Sequence, residues 1–440
     1  MPGNASVRCA TLCENGGVPG TADLFPSHRL SPAQFDEFCA GPLGADGIAA
    51  LRSGQYSRRR LLLAALVAAC GPDLEPAWRI LAAVEERAPD VVEDVLMWPS
   101  VGVWLVRATR RRHGVPLDGP PPAVEVGFLR ALAASAAVRA ALPCTVEVPL
   151  LDGVLTLPTI GQARFDADAA DLRVTPTEVL LRVARGSWFG LRGAAEFVPV
   201  RGSGPGLDVE IDDRTPYRWF SAPEPPRPLG EDEFAAWRAD LRGAWEVLTR
   251  WHPGFAAELA AGLVSVAPLA PGSRVVGASA SAAFGGAALS AADSPATLAA
   301  TLVHELQHTK LNALLDLVVL HTRDDAELTY APWRDDPRPL TGLLHGIYAF
   351  TSTVEFWHTQ RKHVPEDARQ LADFSFVHRR MQVEAAIEGL VSAPDLTGFG
   401  VGLVDGAARR LSRCPLDDVP AETIERAKAM ILDHRASWRP

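Results

Sequence analysis

The chain has 440 residues, 48% of them apolar, with 43 Lys and Arg against 53 Asp and Glu and a formal charge of -10. That charge argues against nucleic acid or an anionic membrane as a partner for the whole surface. No apolar run reaches the roughly 18 residues that span a bilayer, and Met1 to Gly20 lacks a basic start followed by an apolar stretch, so a cytoplasmic, soluble protein is expected.

In chain order, residues 1–26 are Gly-rich and read as a loose N-terminus. Cys9, Cys13, Cys39, Cys70, Cys144 and Cys414 show no paired spacing that suggests a disulfide framework. Residues 27–142 read as a helical domain, with helices at Pro32 to Gly41, Arg58 to Cys70, Glu75 to Arg87, Val91 to Arg112 broken by Pro99, and Ala123 to Leu142. The basic runs Arg58-Arg59-Arg60 and Arg110-Arg111-Arg112 sit at helix ends, where cations complement the helix dipole. Docking of an acidic peptide on them is the expected alternative.

Residues 143–228 change period and read as β-rich. Val146 to Leu151, a turn at Asp152-Gly153, and Val154 to Pro158 read as a hairpin; further strands follow at Val179 to Arg185, Ala195 to Val200 and Leu207 to Ile211. A Pro-rich link, Ala222 to Pro228, closes this unit. Residues 229–440 open on a helix over Glu231 to Arg250, then short strands at Val264 to Leu269, Arg274 to Ala278 and Ala287 to Ser290. Helices follow from Pro295, over Thr341 to Arg361, Pro365 to Leu390 and Ala421 to Trp438. The expected fold class is α+β: a helical N-terminal part, an antiparallel β middle and a mostly helical C-terminal domain.

The chemistry concentrates in His304-Glu305-Leu306-Gln307-His308, an H-E-x-x-H inside the apolar helical run Leu298 to Leu320. At i and i+4 the two imidazoles share a helix face one turn apart, placed for two cis positions on one metal ion. Ser294-Pro295 is a good helix start, Ser as N-cap and Pro where a missing N–H costs nothing. A zinc peptidase is the plain reading, with Glu305 as general base. The metzincin continuation is absent, because Leu311 and Leu314 stand where Gly and His are needed. Spacing alone leaves Asp316, His321, Asp324, Asp325, Glu327, His345, Glu355 and His358 open as third ligand. Between the two helices, Tyr330 to Pro339 carries three prolines and two arginines, a stiff connector closed by Arg-Asp pairs or presenting an arginine fork to a carboxylate.

Ala278 to Ser290, Leu302 to Leu314, Pro332-Trp333-Arg334-Asp335-Asp336-Pro337-Arg338-Pro339 and Gly342-Leu343-Leu344-His345-Gly346-Ile347-Tyr348-Ala349-Phe350 together resemble the HExxH-motif peptide-modification family. That family occurs in bacterial clusters for ribosomally made, modified peptides. The likeness is specific over about residues 275–360, and His28 to Leu63 is similar to the family's N-terminal segment. The resemblance implies an Fe(II)- and 2-oxoglutarate-dependent hydroxylase acting at a β-carbon of a precursor peptide. It implies His304, His308 and His345 as metal ligands, with Glu305, Glu355 or an acid between Asp324 and Glu327 as alternative carboxylate. It implies Arg338, with Arg334 second, for the distal carboxylate of 2-oxoglutarate. Tyr348, one turn after His345, either hydrogen-bonds a bound oxygen species or packs. The alternatives are a zinc metallopeptidase and a non-catalytic peptide-binding protein.

Overall fold

In the computed structural model, residues 28–194, 196–218, 226–390 and 394–438 are described. The expected loose N-terminus, Cys9 and Cys13, and the start of the Pro-rich link at Ala222 to Pro225 lie outside them.

The N-terminal part is a run of helices: α1 (Pro32–Ala40), α2 (Ala45–Cys70), α3 (Glu75–Arg87), α4 (Pro89–Met97), α5 (Pro99–Arg112) and α6 (Pro122–Arg139). Proline stands in the first turn of α1, α3, α4, α5 and α6, where its missing N–H is not needed. Helix α2 begins earlier than its apolar pattern suggests, because Gly47, Ser53, Gly54 and Ser57 dilute the signal in its first turns.

The middle part has strands β1 (Cys144–Pro149), β2 (Val154–Leu157), β3 (Gly161–Arg164), β4 (Ala169–Val174), β5 (Val179–Val183), β6 (Phe189–Gly190), β7 (Val198–Pro199) and β8 (Glu210–Ile211). The expected hairpin is corrected here. The turn forms, with Asp152 at φ 51° and Gly153 at φ 75°, yet only a Leu151–Val154 bridge joins its arms. Strand β1 instead pairs with β4 from Cys144↔Val174 to Pro149↔Ala169, and β2 pairs with β3. Two antiparallel sheets result, β1-β4-β5-β6 and β2-β3-β7. Period-two burial explains the choice of partner. Val146 and Val148 of β1 and Ala170, Leu172 and Val174 of β4 all turn inward onto α6 and α3. Helices α2–α6 and these strands share one core, so the expected boundary near residue 142 runs through packed side chains.

The C-terminal part contains α7 (Glu231–Trp251), α8 (Pro253–Gly262), β9 (Ser265–Pro268), β10 (Gly277–Ala278), β11 (Gly286–Leu289), α9 (Pro295–Leu315), β12 (Leu328–Thr329), β13 (Arg338–Pro339), α10 (Leu340–Gln360), α11 (Glu366–Glu388), α12 (Gly398–Ser412) and α13 (Ala421–Ser437). The protein is α+β, as expected. A third sheet has order β10-β11-β9-β8, parallel across β8, β9 and β11 and antiparallel at β10, its edge. Helix α9 joins two cores. Leu298, Leu302, Val303 and Leu306 pack with α7, α8 and the third sheet, whereas Leu311, Ala313 and Leu314 pack with α1, α10, α11 and α12. Among the described residues no helix is long and apolar enough to cross a membrane.

Two buried polar knots fix these layers. Arg59, 1% exposed, donates to the carbonyls of Leu96, Trp98 and Ala282, which ties α2 to the segment before β11. Glu258 and Lys310 are both fully buried and meet at 2.5 Å. The Glu258 carboxylate also accepts from the Leu43 N–H at 2.6 Å and from Gln307 Nε2 at 2.9 Å. The basic runs are largely spent within the fold: Arg58 pairs with Asp316, Arg60 with Glu85, Arg107 and Arg111 with the buried Glu125, and Arg112 donates to the Ala69 carbonyl.

Candidate metal centre

Helix α9 starts as its sequence suggests, with Ser294 Oγ accepting the Thr297 N–H at 3.1 Å and Pro295 in the first turn. One turn separates His304 from His308, and their Nε2 atoms lie 3.1 Å apart. Two nitrogens in cis positions at metal–nitrogen bonds of about 2.1 Å stand roughly 3.0–3.4 Å from each other, so this spacing fits one ion. The other ring nitrogen of His304, Nδ1, lies 3.3 Å from Thr353 Oγ1. That hydroxyl donates to the Ala349 carbonyl at 3.2 Å, so it accepts from the imidazole. Nδ1 then carries the proton and Nε2 keeps its lone pair free for a metal.

Helix α10 crosses α9 and brings His345 to the pair, its Nδ1 3.3 Å from His308 Nδ1. His308 therefore meets its two neighbours with different nitrogens. Among the described residues no three His, Cys, Asp or Glu side chains meet the spacing of a complete ligand set. Burial holds all three rings neutral: it pushes His304 down to about 3 and His345 to about 4, and His308 falls well below the usual histidine range, the neighbouring imidazoles adding to the effect. Neutral imidazole is the form that binds metal. The spacing of the Nε2 atoms thus fits an ion on the His304–His308 pair, while His345 lies against the other ring nitrogen of His308.

Glu305 is 4% exposed and points toward β10. Its Oε1 lies so close to Gly277 that an added Cβ would collide with it, and Oε2 is buried with no partner among the described residues. Loss of solvent raises its carboxyl to about 7, opposed by a hydrogen bond from Ser279. A carboxyl poised near neutrality is able to take or give a proton.

The other acids and histidines open from the sequence are engaged elsewhere. Glu355 is bound through both oxygens by Arg410, at 3.0 and 2.6 Å. Asp316 accepts from Gln55, His321 meets Thr341, Asp325 accepts from Thr341, Asp324 accepts the Ala326 N–H, Glu327 is exposed, and His358 lies against Phe376. Tyr348 is seated away from the imidazoles. Its ring stacks on Phe38 at 4.8 Å and its hydroxyl donates to the Phe38 carbonyl at 3.2 Å, which is a packing role. Arg334 and Arg338 share Asp336, at 2.8 and 2.9 Å, and β12 and β13 close the connector at its base.

Three residues at the site have no role in the sequence pattern. Phe350 lies 4.5 Å from the His304 ring, centre to centre, and Trp333 lies 5.1 Å from Phe350. The Trp333 indole also covers Gly346, leaving no space there for a Cβ. Thr353 is the third, although the helical period counted from His345 puts residue 353 on the same face. No family model matches the chain, and no curated protein matches it.

Proposed function

We propose that the protein is an Fe(II)- and 2-oxoglutarate-dependent peptide hydroxylase, with His304, His308 and His345 as the nitrogen donors of its metal centre. The observation that carries this reading is the identity of the side chain α10 supplies. A peptidase of the gluzincin kind takes a glutamate from the following helix, and here Glu355 is locked to Arg410 while His345 approaches the Nδ1 of His308. An iron centre there, with 2-oxoglutarate and dioxygen, supplies the oxidation that turns a C–H bond of a peptide residue into an alcohol as the keto acid loses carbon dioxide and becomes succinate. The protein's own residues do the rest. His304 is kept in one tautomer by Thr353, and Phe350 and Trp333 limit water on one side. Strand β10 gives an extended peptide an edge to pair with beside Glu305, next to the exposed Val275 and Val276. The peptide is a ribosomally made precursor in the reading that the resemblance supports.

One observation favours a second reading, a zinc peptidase: the unpartnered Oε2 of Glu305 and its carboxyl near 7 suit a general base. Anaerobic loading with Fe(II) and titration with 2-oxoglutarate separates the two. The hydroxylase gives a visible charge-transfer band that saturates and is lost in His304→Ala. Absence of the band, with firm zinc retention and peptide hydrolysis abolished by Glu305→Gln, establishes the peptidase instead. Peptide affinity with neither activity leaves a binding module.

A further inference from the structure

Arg379 lies on α11, outside both the motif and the connector. Its guanidinium carbon stands 4.6 Å from the centre of the Phe350 ring, the same ring that packs on His304. The His304 imidazole feels its positive charge. Nη1 donates to Gln382 Oε1 at 2.7 Å, while Gln382 Nε2 donates to the Pro332 carbonyl at 2.9 Å, so the buried amide has one orientation and holds one edge of the arginine. Among the described residues no carboxylate pairs with Arg379, and Nε and Nη2 have no partner. Its neighbours in kind differ: Arg334 and Arg338 have Asp336, Arg361 has Asp373, and Arg410 has Glu355. The residue is partly exposed, and burial lowers its guanidinium from the ordinary arginine value. A guanidinium fixed on one face and one edge, with the opposite N–H fork unspent, is preorganised for a bidentate carboxylate.

We propose that Arg379, and not Arg338, is the carboxylate anchor of this site, and that the carboxylate it takes is the distal one of the 2-oxo acid. The identity of that ligand rests on the hydroxylase reading; the anchoring role rests on the packing of Arg379, Phe350, Gln382 and His304. One aromatic ring separates the arginine from the motif histidine, a separation of the order a five-carbon diacid spans. Gln382 acts through Arg379 and is a positioning residue.

Calorimetric binding to the full-length, Fe(II)-loaded protein without oxygen tests this with two probes: 2-oxoglutarate, and 2-oxobutyrate, which keeps the keto-acid end and lacks the distal carboxylate. Arg379→Gln is expected to weaken 2-oxoglutarate about 10- to 100-fold and to leave 2-oxobutyrate unchanged, as loss of a charge-assisted pair requires. Arg379→Lys keeps part of the affinity. Iron stoichiometry and melting temperature equal to wild type show that the variants are folded. Unchanged 2-oxoglutarate affinity in Arg379→Gln, equal losses for both probes, or a loss confined to Arg338→Gln overturns the proposal. If the wild type binds neither keto acid, the hydroxylase reading falls, and a blocked tetrapeptide containing Asp is compared with its Asn counterpart. A preference for Asp that vanishes in Arg379→Gln upholds the carboxylate anchor; equal binding of both peptides by the wild type ends it.

Discussion

Lys310→Met is expected to destabilise the protein by about 3–5 kcal/mol, among the larger effects of any single substitution here. The reason lies in what the ammonium leaves behind. Lys310 and Glu258 are both completely buried, and Glu258 has no solvent to turn to when its counterion is removed. The partners form one connected group: Lys310 Nζ also donates to Gln307 Oε1 at 2.8 Å and lies over the rings of Phe38 and Tyr348. Gln307 and Lys310 belong to the helix that carries His304 and His308, Glu258 to α8, Phe38 to α1 and Tyr348 to α10. The group sets how α9 lies against three other helices. Replacing Glu258 with Gln in the same protein removes the stranded charge while keeping an oxygen for the Leu43 N–H. The double variant Lys310→Met/Glu258→Gln is therefore expected to regain part of the loss. Urea midpoints of the two variants and the wild type provide the check. A single variant within about 0.5 kcal/mol of wild type would show that the pair adds nothing beyond ordinary surface charge.

The second large effect concerns Glu305 and has a definite sign with pH. Its carboxyl is raised from the ordinary glutamate value to about 7 in the folded protein, so the native state holds a proton that the unfolded chain has released. The associated stability is fully present below about pH 4.5 and is lost as pH rises through 7. In the metal-free protein Glu305→Gln escapes that loss. The variant is expected to melt higher than wild type at pH 8, by the equivalent of about 3 kcal/mol, with the gap closing toward pH 4.5. The histidines act in the opposite direction, since His304 and His345 are depressed and favour the folded state as pH rises toward 6.5. Both proteins share them, so they cancel in the difference. Melting curves of wild type and variant that stay parallel from pH 4.5 to 8 would contradict the assignment.

Helix α9 is legible in the sequence because its signals are local: a Ser-Pro start, a leucine face and two histidines four apart. His345 is legible only as one of several candidates. Its approach to His308 depends on how α10 crosses α9, which no local pattern encodes. Arg379 is invisible for the same reason, since its role comes from α11 packing across Phe350. Helix α12 is absent from the expected elements because its glycines lower helix propensity. In the fold they serve packing: a Cβ at Gly402 would meet the Phe35 ring, and one at Gly406 would meet Cys39. The hairpin at residues 146–158 fails differently. Its turn chemistry is right, and the partner strand is decided by a buried face that extends over β4.

Arg59 makes this protein hard to assemble in the order in which it is synthesised. Two of its acceptors, the Leu96 and Trp98 carbonyls, emerge from the ribosome soon after it, but the third, Ala282, follows 223 residues later. Phe35, Phe38 and Leu51 wait still longer, for the α10–α12 side chains that cover them. The N-terminal helices thus spend most of translation with a guanidinium partly unsatisfied and an apolar face open, and nascent polypeptides that stall before residue 282 are the ones most in need of a chaperone.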